Sequence, residues 1–158
     1  MSRTVYAERT ITITRHFKAP RDLVFKAWTD IKHIQEWFGP EGFTNPVVTG
    51  DAKAGGTVHI TMHGPKGTPF DQDFPCTLTF REIVPGEKLV FENDAPAPDG
   101  SVMIEGRTTV TFSDEKDGTR MVMETTGRAL HEMAKGHLAG MEEGWVGSFN
   151  KLGRLLEK

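Results

Sequence analysis

The residue pattern predicts an α+β fold: one strand, two short helices, six further strands and a long closing helix packed on the sheet. Three observations carry this. Ile11, Ile13, Arg15 and Phe17 alternate with Thr10, Thr12, Thr14 and His16, a period of two built from β-favouring residues. Between Phe43 and Thr126, β-favouring runs are separated by turn signals. From Leu130 to Leu156, apolar residues recur at three- and four-residue steps.

Ala19-Pro20 ends the first strand, and Pro20 suits a helix start, where its missing N–H costs nothing. Residues 21–29 then read as helix one, with Val24, Ala27 and Trp28 on one face. Asp30 caps a second helix over 31–38, whose apolar side is Ile34, Trp37 and Phe38. Gly39-Pro40-Glu41-Gly42 stops it. Strands follow near 43–51, 56–63, 74–84, 87–93, 101–113 and 119–126. Gly55-Gly56, Gly64-Pro65-Lys66-Gly67, Pro85-Gly86, Pro96 to Gly100 and Asp117-Gly118 divide them. The closing helix would run about seven turns. A lone amphipathic helix after a run of strands must bury its stripe against the sheet.

A length of 158 residues fits one domain over 1–158, with residues 1–9 expected to be loosely ordered. Lys plus Arg is 19 and Asp plus Glu is 22, a formal charge of −3. That balance gives no electrostatic reason to expect nucleic acid as a partner. No run of about 18 apolar residues suggests a membrane span. The polar N-terminal stretch lacks the apolar core of a secretory signal. Cys76, the single cysteine, cannot form an internal disulfide, which points to a reducing, cytoplasmic setting.

Three stretches carry a family resemblance. The first is Ala19 to Asp30, continuing to Trp37-Phe38-Gly39-Pro40. The second is Arg81-Glu82-Ile83-Val84-Pro85-Gly86-Glu87-Lys88-Leu89-Val90-Phe91. The third is Gly140-Met141-Glu142-Glu143-Gly144-Trp145, followed by Phe149, Leu152 and Leu155-Leu156. With these, the chain from Thr10 to Leu156 resembles the START-like superfamily, the polyketide cyclase or helix-grip group. Within it the chain is most similar to homologues of the heat-shock protein 90 ATPase activator's C-terminal domain. The resemblance implies a curved, seven-stranded antiparallel sheet gripping the final helix. It implies function only loosely, because members include lipid carriers, aromatase/cyclases, a self-sacrificing resistance protein and co-chaperone domains.

On the closing helix, His137, Met141, Trp145 and Phe149 follow at four-residue steps. Alternation turns Val58, Ile60, Met62, Leu78, Phe80, Leu89, Phe91, Met121 and Met123 toward them. Methionine adapts to ligands of irregular shape. Such a set either packs a solid core or lines the cavity that the resemblance implies. The expected ligand-binding residues are Trp37, Met62, Phe80, Glu82, Phe91, Met123, His137, Met141, Trp145 and Phe149. Glu82 shares the register of Leu78 and Phe80, unless it reaches solvent at the strand end.

Gly136, Gly140, Gly144, Gly147 and Gly153 all fall inside the predicted helix. Each costs roughly 1 kcal/mol relative to Ala, about 5 kcal/mol together. Close approach of another element, a bend, or room for a ligand would offset this. None of the six histidines has metal-site spacing, and His59 and His63 face away from Val58 and Ile60, toward solvent. No metal, cofactor or catalytic nucleophile is expected. Cys76 lacks the positive surroundings of a reactive thiolate.

The expected function is binding of a small hydrophobic molecule between the closing helix and the sheet. Two alternatives stay open: a cyclase/aromatase- or hydrolase-like enzyme using His137 or Glu82, and a stress-response, co-chaperone-like interaction domain. Homodimerisation and a chaperone partner are not decided by the sequence.

Overall fold

A computed structural model describes residues 4–157. Strand β1 (Ala7–Phe17) leads to helices α1 (Arg21–Thr29) and α2 (Ile31–Trp37). Strands β2 (Thr44–Gly50), β3 (Thr57–His63), β4 (Asp73–Val84), β5 (Lys88–Pro96), β6 (Val102–Glu115) and β7 (Gly118–Ala129) follow. A 3₁₀ turn at Glu132–Ala134, helix α3 (Lys135–Ala139) and helix α4 (Met141–Leu156) complete the chain. The strands form one curved antiparallel sheet in the order β1-β7-β6-β5-β4-β3-β2. This is the helix-grip architecture that the sequence suggests. Strand β1 begins at Ala7, so part of the segment expected to be loose is paired, Ala7 lying opposite Ala129.

Local chemistry sets the element ends. The Asp30 carboxylate accepts from the Lys32 N–H at 2.9 Å and caps α2, as expected. The Asn45 side-chain amide donates to the carbonyls of Gln35 and Phe38, at 3.0 and 2.8 Å. The Lys151 ammonium on α4 donates to the carbonyls of Phe38 and Phe43, at 3.2 and 3.1 Å. Burial holds its pKa below the ordinary lysine value. These bonds tie the turn after α2 to the closing helix.

The inner sheet face carries the core. Val58, Ile60, Leu78, Phe80, Leu89, Phe91, Val110, Met121 and Met123 are all buried, as alternation predicts. Trp28 sits among Trp37, Phe91, Trp145 and Phe149, with ring centroids 4.8 to 6.1 Å apart. The aromatic cluster bridges from α1 and α2 to α4 and the sheet.

Two expectations need correction. The closing helix is not continuous from Leu130. Strand β7 extends to Ala129, and the helix breaks at Gly140 between α3 and α4. The break absorbs part of the glycine cost, and close packing absorbs more. A Cβ on Gly147 would lie 2.8 Å from the Glu41 backbone nitrogen, so the helix meets the turn after α2 there through bare backbone. The second correction concerns Glu82. In β4, Phe80 pairs with Phe91 but Glu82 pairs with Val90, so Arg81 is an extra residue. This bulge reverses the alternation. Glu82 points outward, is exposed, and pairs with Lys88 at 3.4 Å.

Candidate functional site

The strand register divides the inner face into rows. One row runs Thr125–Thr108–Phe91–Phe80 across β7, β6, β5 and β4. The next runs Gly127–Gly106–Asn93–Leu78–Val58. Above it lie Ala129–Ile104–Ala95 on one side and Cys76–Ile60–Val48 on the other. The rows differ in side-chain size. The lower ones present Phe, Leu and Met, whereas the upper ones on β4 to β7 present Gly106, Gly127, Asn93, Ala95, Cys76 and Ala129.

Burial follows that division. Trp37, Phe80, Phe91, Met123 and Phe149, all expected to touch a ligand, are fully buried and packed on one another. They form the solid floor of the grip. The Trp37 indole donates to the Ala27 carbonyl at 2.8 Å, a structural bond. Higher up, Met62, Cys76, Asn93, Ala95, Ile104 and Gly106 on the sheet keep partial exposure, as do Met141 and Trp145 on α4. The inner face is therefore less completely covered at this end than at the floor. Met62, Met141 and Trp145 are the expected residues that lie at this end.

His137 lies on α3, is exposed, and has no hydrogen bond among the described residues. In this part of the chain Ala134 and Leu138 are the buried residues. Leu138 settles onto Gly127, where a Cβ would lie 2.8 Å from its Cδ2 and 3.4 Å from the Met141 sulfur. The sequence pattern places Leu138 on the apolar stripe, where it is found, but it misses the polar cluster at Asn93, Thr108 and Thr125. Alternation places those three inward, but only register brings them together.

Burial, with Asp94 nearby, pushes the Cys76 thiol up to about 12. A thiol at that value holds no thiolate at neutral pH. Glu82 faces away from the inner sheet face, and His137 faces solvent. Among the described residues no group of histidine, cysteine and carboxylate side chains has the arrangement of a metal site. His63 faces outward as expected, and it is held by Asp73 at 2.7 Å and Asp71 at 2.8 Å.

Two other concavities differ in character. A groove of about 510 Å³ crosses the outer face, lined by Glu8, Glu92, Asp94, Glu105, Arg107 and Arg128 among others. Its charges largely pair with one another: Arg107 with Glu92, and Arg128 with Glu8 and Glu105. It is a solvated ionic face and does not suit an apolar ligand. A shallow depression of about 370 Å³ lies between Tyr6, Leu130, His131, Glu132 and Met133.

A curved sheet that grips a helix defines a class of domain that serves ligand binding in general. The chain belongs to the family of activator of Hsp90 ATPase homolog 1-like proteins, whose model matches residues 18–157. Solved structures share the fold. A protein from Chromobacterium violaceum superposes with a TM-score of 0.81 at 23% identity, covering 94% of this chain and 97% of that one. One from Rhizobium leguminosarum gives 0.77 at 24% identity, covering 99% of each chain. The AHSA1 protein from Silicibacter pomeroyi gives 0.74 at 20% identity, covering 94% and 98%. At these identities the likeness is one of fold. No curated protein matches the chain. No helix among the described residues is long and apolar enough to cross a membrane.

Proposed function

We propose that this protein binds a small hydrophobic molecule in a cleft at the upper end of the grip, between the start of α4 and the upper rows of β3 to β6. One observation carries the reading. Inner-face residues there, Met62, Ala95 and Ile104, are only partly buried, whereas the floor below them is fully buried. Met62, Met141 and Trp145 supply adaptable and flat apolar surface there. Affinity would come from apolar area removed from water, about 25 cal/mol per Å² before association costs. The single cysteine, with its unreactive thiol, suits a reducing cytoplasmic setting.

Native mass spectrometry and thermal shift against a panel of apolar molecules test the proposal. Retention of a panel member together with a raised melting temperature supports it. No retention and no stabilisation by any member would remove it. An interaction domain is the second reading, favoured by exposure of Tyr6 (44%) and Met133 (64%) beside the shallow depression. Its test is retention of purified heat-shock protein 90 at micromolar concentration, lost in Met133→Glu.

A further inference from the structure

One polar group interrupts the apolar cleft. Thr108 and Thr125 are buried on the inner face, and their hydroxyls lie 2.7 Å apart. The Thr108 hydroxyl donates to Asn93 Oδ1 at 3.4 Å. A threonine hydroxyl has one proton, so Thr108 must accept from Thr125. The chain of donors therefore runs one way, from Thr125 through Thr108 to Asn93. In this arrangement the Asn93 amide turns its oxygen toward the buried threonines. The other side of the amide, Nδ2, carries two N–H donors and has no protein partner among the described residues.

The position of Asn93 gives that free donor a meaning. It stands one row above Phe91 on the same face of β5 and beside Gly106, with Leu78 on its other side. Gly106 leaves the amide uncovered, since a Cβ there would lie 3.0 Å from Asn93 Oδ1 and 3.1 Å from Nδ2. The Trp28 indole N–H, in the aromatic floor just below, is buried and also lacks a partner. Asn93 itself is only partly buried, so solvent serves its free donor until a ligand covers it. A purely hydrocarbon ligand would leave the Asn93 amide covered and unpaired, at a cost in binding.

We infer that the molecule held in this cleft is a flat apolar body carrying a hydrogen-bond-accepting oxygen, and that Asn93 Nδ2 anchors that oxygen. The inference rests on the cleft being the binding site. Thr108 is a positioning residue, since it orients the amide without reaching the ligand.

Fluorene and 9-fluorenone form a matched pair of probes, the same three-ring frame without and with a carbonyl oxygen. Equilibrium dialysis of the full chain gives the affinity for each. The wild-type protein is expected to bind fluorenone about tenfold more tightly than fluorene, the effect of one net hydrogen bond. Asn93→Asp keeps the side-chain volume but loses the donor, and Asn93→Leu removes the polarity. Both should abolish the preference while fluorene binding persists, which also shows that the variants are folded. Thr108→Val should narrow the preference by letting the amide turn. Equal binding of the two probes by wild type, or a preference that survives both Asn93 variants, overturns the anchor and leaves the cleft reading intact. Binding of neither probe overturns the cleft as a site for flat apolar molecules, and the anchor with it.

Discussion

Arg9 Nη1 donates to the Ala139 carbonyl at 3.0 Å, so strand β1 grasps the closing segment at the break between α3 and α4. The same nitrogen donates to the Leu138 carbonyl at 3.0 Å, and Nη2 pairs with Glu142 at 3.0 Å. These carbonyls lie at the C-terminal end of α3, where backbone acceptors lack helical partners and positive charge is favoured. Arg9→Ala should cost about 1 kcal/mol in urea denaturation, a modest figure because the guanidinium is partly exposed. Limited proteolysis should cut faster between Leu130 and Gly140. Unchanged stability and cleavage would show that the junction holds without Arg9.

The helix glycines separate into two kinds, with opposite expected signs. Gly147→Ala brings a methyl to within 2.8 Å of the Glu41 nitrogen and should destabilise by about 1–3 kcal/mol, despite the better helix propensity of alanine. Gly136→Ala meets nothing within 4 Å and should stabilise by roughly 0.5–1 kcal/mol. Thermal and urea melts of the two variants check both signs.

Most of the sheet was legible in the sequence because alternation is a local property. Val58 and Ile60, Leu78 and Phe80, Met121 and Met123 each sit two apart and face the same way. Glu82 escaped because one extra residue at Arg81 reverses the alternation, and nothing local marks the bulge. His137 escaped because His137 and the adjacent Leu138 both fit the helical spacing, and it is Leu138 that the short helix α3 buries. The cleft was the least legible part. Gly106, Asn93 and Cys76 lie far apart in sequence, and only strand register sets their small side chains along adjoining rows of one surface. The stretch from Ala19 to Pro40 that carried the family resemblance mostly builds the floor beneath it.

His63 is gripped by two carboxylates, Asp73 on β4 and Asp71 in the loop before it, and Asp71 also accepts from the Gly67 N–H at 3.0 Å. The hydrogen bonds from Asp73, then Asp71, raise the His63 pKa above its ordinary 6.5. A raised folded value means that the protonated form is favoured on folding. The resulting stability is full below pH 6.5 and fades as pH rises through the raised value. The stability gap between wild type and His63→Asn should therefore be widest in mild acid and narrow on the alkaline side. A gap that widens with pH would contradict this, and titration of the His63 ring by NMR gives the pKa directly.

Cys76, with its thiol near 12, should react slowly with a thiol-specific disulfide reagent at pH 8 in the native protein. It should react fully after unfolding. Fast native reaction would mean that the surroundings of Cys76 are more polar or more open than the geometry indicates.

The most direct test of the central claim is an amide and methyl chemical-shift titration of the labelled protein with 9-fluorenone. Saturable shifts are expected at Met62, Cys76, Asn93, Ala95, Ile104, Met141 and Trp145, with the buried floor at Phe17, Val24 and Leu89 little changed. Shifts gathered instead at Tyr6 and Met133, or along Glu92, Arg107 and Arg128 on the outer face, would place the binding surface elsewhere and contradict the account.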